Sequence, residues 1–267
     1  MQLEKLTKYL KNQDQIEGWF QPGAAQIFAL INHVQQAAGV KGCLFEIGVH
    51  QGRSTVLLGM MTNFMEAETL SVCDVFDVQE QNVTQSGRGN KDILINNLIS
   101  YCGSLDFLKI YEKPSGELTL SDTGNQCRFF HIDGGHSADE TYHDLHLAVQ
   151  AIAQSGIVVL DDYFNQQWPG VSEGASRFLT ENTNKLVPLA IGFNKLFLCN
   201  PSEQTWYRER LMQDGWKHYV ANSKVKTKLM QFFGVDTLVY FVPGVNRKAS
   251  SLYQRTIAKI KRKLSLS

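Results

Sequence analysis

Three carboxylates follow two apolar segments in the second half of the chain. Asp133 comes directly after residues 127–132, and Asp161 and Asp162 come directly after residues 157–160. Because the carboxyl ends of parallel strands meet at one edge of a sheet, these side chains are expected at one rim. Repulsion raises the pKa values of carboxylates so close together unless a cation offsets it, and such oxygen ligands suit Mg²⁺ or a similar divalent ion. The alternative is that Asp161 and Asp162 only cap the turn that follows them.

His136 follows Asp133 within the sequence IDGGH. An imidazole titrates near neutrality, so His136 is a candidate general base for a reaction at the same rim. His131 lies inside the preceding strand and is expected to pack or to bond to the backbone. His143 and His146 belong to the helix that follows and are expected at the surface or behind the site.

A glycine-containing turn early in the chain is the second candidate functional site. In residues 43–55, CLFEIGVHQGRST, a short apolar run leads to Glu46 and then to Gly48 and Gly52. Glycine permits positive φ and a close approach of a ligand, and the free N–H groups at a helix start favour polar or anionic groups. The stretch predicts a cradle for a nucleotide-type ligand. It does not match the dinucleotide fingerprint G-x-G-x-x-G, since His50 stands between the glycines.

An acid near the end of the next apolar segment, residues 70–76, is suited to accept hydrogen bonds from ribose hydroxyls. Asp74 is the first candidate and Asp77 is the competing one. Residues 79–90 have the composition of turns and predict a loop above the strand ends. Ser115, after the following strand, is expected near an adenine ring.

Strands and helices alternate along the chain, which predicts an α/β fold. Ser137 and Glu140 form a capping box for a helix that runs through Ala153. Amphipathic helices over residues 3–12 and 24–38 are expected to pack on the sheet edge, and covering the mouth of the site is the alternative. The predicted strands are residues 43–45, 70–76, 107–111, 127–132, 157–160, 186–190 and 195–199, with further helices over residues 56–61 and 91–101.

The composition is that of an ordinary globular protein. Of 267 residues, 43% are hydrophobic and 19% are charged, so disorder is not expected, and the length suits one α/β domain with additions. The formal net charge of +0 predicts no general attraction to nucleic acid or to a membrane. No apolar run approaches the roughly 18 residues of a membrane-spanning helix, and the first residues lack the pattern of a signal peptide.

The cysteines are odd in number and widely spaced, so they are expected to be small buried side chains. No pair has the C-x-x-C spacing of a zinc or redox site. A reducing compartment is inferred from this spacing, and the protein is expected in the cytoplasm. The five are Cys43, Cys73, Cys102, Cys127 and Cys199.

The C-terminal segment is basic. From Arg247 to the end there are seven Lys or Arg residues and no acid. Tyr253, Ile257, Ile260 and Leu264 fall on one stripe of a helix. Such a helix can dock on the acidic body or on another subunit, or it can lie on an anionic membrane surface. Docking or an oligomer contact is the preferred expectation.

Three motifs in order resemble a bacterial family of class I S-adenosylmethionine-dependent methyltransferases, related to metal-dependent sugar and small-molecule O-methyltransferases. They are FEIGVHQGRST, IDGGH at residues 132–136, and DDYFNQQWPGVSEG at residues 161–174. The resemblance implies a Rossmann-like α/β fold with a mostly parallel seven-stranded sheet and helices on both faces. It divides the chain into a helical segment (1–40), a methyltransferase core (41–200) and an extension with the basic helix (201–267).

The resemblance also implies roles for individual residues. His136 and Asp133 would be catalytic, and the metal ligands would be Asp133, Asp161 and Asp162. Trp168 is expected either as a wall of the acceptor pocket or as a structural plug. This chain has His50 where many members of the family carry a second glycine. The residues assigned to S-adenosylmethionine are Glu46, Gly48, Gly52, Ser54, Asp74, Ser115 and Asp133.

The leading interpretation is an S-adenosylmethionine-dependent O-methyltransferase, assisted by Mg²⁺ or another divalent cation, that methylates a hydroxyl of a sugar or another polar small molecule. The preference for a sugar as the acceptor rests on the resemblance alone. A non-catalytic nucleotide-binding or assembly protein of the same fold is the second interpretation, and the clustered carboxylates argue against it. An NAD-dependent oxidoreductase is the third, disfavoured by the missing fingerprint. No nucleic-acid partner is expected, whereas peripheral membrane contact and a homo-oligomer stay open.

Overall fold

One mixed sheet runs through the residues that the structure describes. The structure is a computed structural model, and it describes residues 3–82, 84–124, 126–213 and 225–243. The strands are β1 (Leu44–Ile47), β2 (Leu70–Asp74), β3 (Leu108–Glu112), β4 (Cys127–Ile132), β5 (Ile152–Leu160), β6 (Val187–Gly192), β7 (Lys195–Cys199), β8 (Lys226–Phe232) and β9 (Val235–Phe241).

Helices separate most of these strands and precede the first of them. They are α1 (Leu3–Asn12), α2 (Pro22–Ala37), α3 (Arg53–Met61), α4 (Lys91–Cys102), α5 (Leu120–Thr123), α6 (Ala138–Ala151), α7 (Pro169–Glu181) and α8 (Gln204–Gln213). No helix of the described ranges is both long and apolar enough to cross a membrane. The predicted basic helix after Arg247 lies outside the described residues.

The strand order is β3-β2-β1-β4-β5-β7-β6-β9-β8. Strands β1 to β5 pair in parallel, so their carboxyl ends share one edge of the sheet. The chain builds outward from β1 in both directions, which makes the edge beside β1 and β4 the switch point where open α/β sheets bind ligands. Strand β7 runs antiparallel to β5 and to β6.

The predicted α/β architecture is confirmed, but the sheet has nine strands within the described residues where seven were predicted. Strands β8 and β9 form an antiparallel hairpin that pairs with β6 through β9. The hairpin turns at Gly234, whose φ of 76° suits glycine. Leu238 and Tyr240 of β9 are buried. Residues 238–241, LVYF, form a short run of β-branched, aromatic and other apolar residues that is typical of a strand, but this segment is not among the predicted strands.

The two faces of the sheet carry separate hydrophobic cores. Leu44 and Phe129 pack into a core shared with α1, α2, α3, α4 and α8, whereas the neighbouring Phe45 and Phe130 pack into a core shared with α6 and α7. Successive side chains of a strand point to opposite faces, so a run that is apolar throughout must be covered on both sides. The result is the three-layer arrangement that the family resemblance implied.

One predicted boundary is wrong. The capping-box helix was predicted through Ala153 with a strand from 157, whereas α6 ends at Ala151 and β5 begins at Ile152. Ile152 pairs with Cys127 before a register shift in β4. The backbone crowds at Gly156, where an added Cβ would lie 2.6 Å from the Cys127 carbonyl oxygen. Pairing with β4 therefore takes over these residues from the helix.

The interpretation of the cysteines also needs a correction. Cys43 and Cys127 form a disulfide between the amino ends of β1 and β4, with their Cα atoms 4.4 Å apart. The two residues are 84 positions apart in the sequence, so spacing along the chain does not reveal the pair. The cysteine argument for a reducing compartment therefore loses its basis. The other three cysteines are free.

Candidate active site

A cleft of about 1080 Å³ opens at the carboxyl ends of the parallel strands. Most of the residues singled out from the sequence line it. Two do not: Glu46 is fully buried behind the cleft wall, and Gly52 faces the neighbouring helix. The predicted residues that line the cleft are Gly48, Ser54, Asp74, Ser115, Asp133, His136, Asp161 and Asp162.

The two glycines of the first turn serve different purposes. Gly48 has φ of 76°, and a Cβ there would lie 1.9 Å from the carbonyl oxygen of Asp133. Its missing side chain lets the turn after β1 touch the turn after β4, which brings the cradle and the carboxylates together. Gly52 has φ of 91°, and its Cβ would lie 2.5 Å from Leu94 of α4. This glycine is required for the packing of α3 on α4.

Asp74 holds the first turn in place. Its Oδ2 accepts hydrogen bonds from the backbone N–H groups of Val49 (2.7 Å) and His50 (2.9 Å), and its Oδ1 accepts one from Phe76 (2.7 Å). Each carboxylate oxygen has two lone pairs, so Oδ2 is used by its two donors and Oδ1 can still accept from a ligand in the cleft. Asp77 is exposed and does not line the cleft. Of the two ribose candidates, the geometry favours Asp74.

His136 is held by three neighbours. Its Nε2 lies 3.0 Å from Oδ2 of Asp162, its Nδ1 lies 3.4 Å from Oγ1 of Thr84, and its ring stacks on Trp168 with centroids 4.3 Å apart. Because a carboxylate only accepts hydrogen bonds, the imidazole proton belongs on Nε2 and the lone pair on Nδ1. A hydroxyl, that of Thr84, already faces this lone pair. Trp168 lines the cleft, so it is a wall rather than a plug.

The capping box fixes the turn that carries His136. Ser137 Oγ accepts a hydrogen bond from the Glu140 backbone N–H at 3.2 Å, and Glu140 Oε2 accepts one from the Ser137 N–H at 3.2 Å. This prediction is confirmed. His143 is exposed and His146 is partly buried, and neither lines the cleft, as expected.

The carboxylate of Asp162 has three side-chain hydrogen-bond partners. It accepts hydrogen bonds from His136, from Asn165 at 2.9 Å and from Asn194. Burial would raise its pKa, but these hydrogen bonds outweigh burial and hold the pKa below its ordinary value. Asp162 is therefore ionised and can stabilise a proton on the His136 ring.

Asp161 faces a different partner. Its Oδ2 accepts a hydrogen bond from the ammonium group of Lys195, and its Oδ1 accepts one from the Asp162 N–H at 2.8 Å. Lys195 Nζ also lies 3.2 Å from Nε2 of His131, whose Nδ1 lies 2.8 Å from Oε1 of Glu46. A buried polar chain thus crosses the sheet from Glu46 to Asp161.

His131 was expected to pack or to bond to the backbone. It does pack, with its ring centroid 5.1 Å from that of Phe28, but both ring nitrogens bond to side chains. Burial lowers the pKa of His131, and the ammonium of Lys195 lowers it further, against the opposing hydrogen bond to Glu46. The ring is therefore neutral, with Nδ1–H donating to Glu46 and Nε2 accepting from Lys195.

The predicted metal trio does not gather around one point. Two groups of potential ligand atoms within 4.8 Å of one another occur in the described residues: one joins Asp133 and Asp161 to His131, and the other joins Asp133 and Asp162 to His136. Burial raises the pKa of Asp133 well above its ordinary value, and the charge of Asp161 adds to the rise. The carboxylates converge on the cleft, as predicted, but Asp161 and Asp162 belong to different groups.

Two parts of the site were missed in the sequence. Lys195 is the first residue of the otherwise apolar strand β7, and no motif around it indicates a functional residue. The linker between α1 and α2 also lines the cleft, including Trp19 and Phe20. Arg53 fastens this linker by donating to the carbonyl oxygen of Gly18 at 2.6 Å. The linker between the N-terminal helices therefore lines the site, whereas no residue of 3–12 or 24–38 does so, and covering of the mouth by the helices stays a prediction.

Comparison with known proteins agrees with this geometry. Residues 45–163 match a family model described as a methyltransferase domain. A search of curated proteins finds no match. Among solved structures, the O-methyltransferase NovP superposes with a TM-score of 0.57 at 14% identity, covering 69% of this chain and 83% of its own.

Two further structures show the same fold. A putative O-methyltransferase from Klebsiella pneumoniae superposes with a TM-score of 0.51 at 15% identity, covering 73% of this chain and 90% of its own. Cofactor-bound Rv0187 from MTB gives 0.50 at 13% identity, covering 73% and 89%. The matched methyltransferase domain, the parallel sheet and the cleft at its switch point together support a class I S-adenosylmethionine-dependent methyltransferase.

Proposed function

We propose that this methyltransferase transfers the methyl group to a hydroxyl oxygen of a polar small molecule, with His136 as the general base. One observation carries the proposal: His136 lines the cleft, and its Nδ1, left as the acceptor by the contact of Nε2 with Asp162, already has a hydroxyl, that of Thr84, 3.4 Å away. An acceptor hydroxyl that displaced Thr84 would meet the same nitrogen. A base this well oriented suits an oxygen acceptor, because an alcohol must lose its proton as it is methylated.

The work of the protein in this reaction is alignment and proton removal. S-adenosylmethionine supplies a methyl group that is already activated by the sulfonium. The cleft walls hold the acceptor oxygen in line with it. His136 Nδ1 takes the hydroxyl proton, and the ionised Asp162 stabilises the imidazolium through Nε2–H. Stacking on Trp168 fixes the plane of the ring.

The proposed cofactor position follows the first turn and the ends of β2 and β3. Asp74 would accept hydrogen bonds from the ribose hydroxyls, and Ser115 would contact the adenine. Gly48, Ser54 and Asp133 would hold the methionine end. Glu46 and Gly52, the other two residues assigned from the sequence, support this position from behind, through His131 and α4.

Polar amides support a sugar or a similarly hydroxylated acceptor. Asn165, Gln167 and Asn194 line the cleft near His136, together with Trp168. An amide both donates and accepts hydrogen bonds, as a row of hydroxyls requires, and an indole covers the apolar face of a ring. The NovP structure, described as an O-methyltransferase, is in keeping with an oxygen acceptor.

The predicted magnesium ion does not fit the three carboxylates as one ligand set. No oxygen atoms of Asp133, Asp161 and Asp162 come together within 4.8 Å among the described residues. Asp161 is already paired with Lys195, and Asp162 with His136. No step of the proposed mechanism therefore passes through a divalent ion.

Calorimetry and an acceptor screen test the proposal. S-adenosylhomocysteine should bind, and NAD should not. Incubation with methyl-labelled S-adenosylmethionine and a panel of free sugars, sugar nucleotides and catechols should label a hydroxylated acceptor. Binding of NAD in place of S-adenosylhomocysteine would contradict the assignment. Binding of S-adenosylhomocysteine with transfer only to nitrogen or sulfur acceptors would contradict the choice of oxygen.

A further inference from the structure

Lys195 is a buried cation at the floor of the cleft. Its side chain is 1% exposed and pairs with Asp161, whose side chain is 8% exposed. A lysine is almost never buried without a partner, because taking an ammonium out of water is costly. The pairing is therefore a specific feature of the site and not a chance surface contact.

The hairpin between β6 and β7 brings this ammonium to the carboxylates. Its turn residues Phe193 and Asn194 both have positive φ, 53° and 69°, as in the tight turns that match the twist of paired strands. As a result Asn194 reaches Asp162, and the next residue, Lys195, reaches Asp161. One hairpin thus supplies a separate partner to each of the two adjacent acids.

The ammonium occupies the place of a cation in one of the two candidate ligand groups. That group consists of His131, Asp133 and Asp161. Lys195 Nζ bonds to Asp161 Oδ2 and lies 3.2 Å from His131 Nε2, so two of the three potential ligands already contact it. Nitrogen lone pairs and carboxylate oxygens that would ligate a metal instead accept hydrogen bonds from lysine.

The electrostatics of the group agree with this role. Burial and the charge of Asp161 raise the pKa of Asp133, whereas Lys195 acts to lower it. The ammonium also lies 5.0 Å from the ring centroid of Phe20, which covers it from the linker side. A single positive charge is thus enclosed by acceptors and by an aromatic face.

We propose that Lys195 is the built-in counter-cation of the carboxylate group formed by Asp133 and Asp161, where it takes the position of a divalent metal ion. Lys195 is a positioning residue in this account: it holds Asp161 and the end of β5 beside the acceptor site. Its consequence for catalysis, that the group of His131, Asp133 and Asp161 supplies no divalent ion to methyl transfer, rests on the proposed function. The occupancy of the cation position by Lys195 does not depend on the proposed function.

Binding of Mn²⁺ tests the occupancy directly. Manganese would be titrated into the full chain and free Mn²⁺ measured by electron paramagnetic resonance, for the wild type, Lys195→Met and Lys195→Met/Asp161→Asn. Removing the ammonium leaves two acids and an imidazole without a cation, so Lys195→Met should bind Mn²⁺ at least about tenfold more tightly than the wild type. The added Asp161→Asn should abolish the gain.

Two controls keep the result interpretable. Lys113→Met removes another lysine of the cleft lining, paired with Asp122 at 3.0 Å, and should leave Mn²⁺ affinity unchanged. Lys195→Gln keeps a hydrogen-bond donor without the charge and should reproduce the gain if Lys195→Met does not fold. Circular dichroism and S-adenosylhomocysteine binding report folding and the cofactor half of the cleft separately.

The proposal fails if Lys195→Met and Lys195→Gln bind Mn²⁺ no better than the wild type. It also fails if the wild type binds Mn²⁺ and Asp161→Asn alone removes that binding, because Asp161 would then be a metal ligand. Neither result depends on methyl transfer. If S-adenosylhomocysteine does not bind any variant or the wild type, the proposed function fails instead, and the metal result still stands.

Discussion

Replacing Gly48 with alanine should damage this protein more than any ordinary glycine substitution. Alanine at φ of 76° costs about 1 to 2 kcal/mol, the penalty of the left-handed conformation for a residue with a Cβ. The Cβ would also lie 1.9 Å from the carbonyl oxygen of Asp133, a backbone atom that cannot rotate away. Overpacking of this kind costs about 1 to 3 kcal/mol. The expected loss in the free energy of unfolding is about 2 to 5 kcal/mol.

Gly39→Ala isolates the contribution of the close approach. Gly39 has a similar φ of 70°, but a Cβ there would meet nothing within 4 Å. Its expected loss is the conformational part alone, about 1 to 2 kcal/mol. Urea unfolding followed by circular dichroism gives both values. Since the turn of Gly48 borders the proposed cofactor position, Gly48→Ala should also weaken S-adenosylhomocysteine binding in calorimetry. Equal losses of stability for the two variants would refute the reasoning.

Three further predictions concern the side chains of the site. Asp74→Asn should weaken S-adenosylhomocysteine binding about tenfold or more, since it removes a charged acceptor. The control Asp77→Asn, at an exposed position, should leave binding unchanged. Equal calorimetric dissociation constants for the two variants would exclude Asp74 as the ribose ligand. With an identified acceptor, His136→Gln should lower kcat by about 10²- to 10⁴-fold while S-adenosylhomocysteine affinity is kept, and unchanged turnover would remove the base assignment. Because burial lowers the pKa of His131, the unfolded chain binds a proton below about pH 6.5 that the folded chain does not. The free energy of unfolding should therefore fall as pH decreases below that value, with His131 contributing up to about 1.4 kcal/mol per pH unit. His131→Gln should flatten the pH dependence of this free energy, measured by urea unfolding. An unchanged pH dependence would assign the loss to another group.

Local patterns predicted the elements that carry the site. The apolar runs of β1, β2, β4 and β5 and the capping box at Ser137 use chemistry that is contained within a few neighbouring residues. The convergence of Asp74, Asp133 and Asp161 on one rim then follows from parallel pairing alone. These features could be predicted because each depends on short-range periodicity or on one general rule of α/β topology.

Features that depend on which strands become neighbours could not be predicted in this way. The disulfide of Cys43 and Cys127 requires β1 and β4 to be adjacent, and the chain of Glu46, His131 and Lys195 requires three strands from distant parts of the sequence. No spacing along the chain encodes these distances. Glu46 illustrates the consequence, because an acid in β1 is a plausible ligand contact from the sequence and instead accepts a hydrogen bond from the buried His131.

The adjacent acids Asp161 and Asp162 explain why counting carboxylates leads to a metal site that the geometry does not form. Asp162 has φ of 58°, and the backbone bends at the two acids. Asp161 consequently turns back to Lys195, and Asp162 turns forward to His136. A left-handed residue that is not glycine costs free energy, and such strain is kept where the surroundings demand it. The same bend that separates the acids gives each its own partner: the buried cation Lys195 pairs with Asp161, and the proposed base His136 pairs with Asp162.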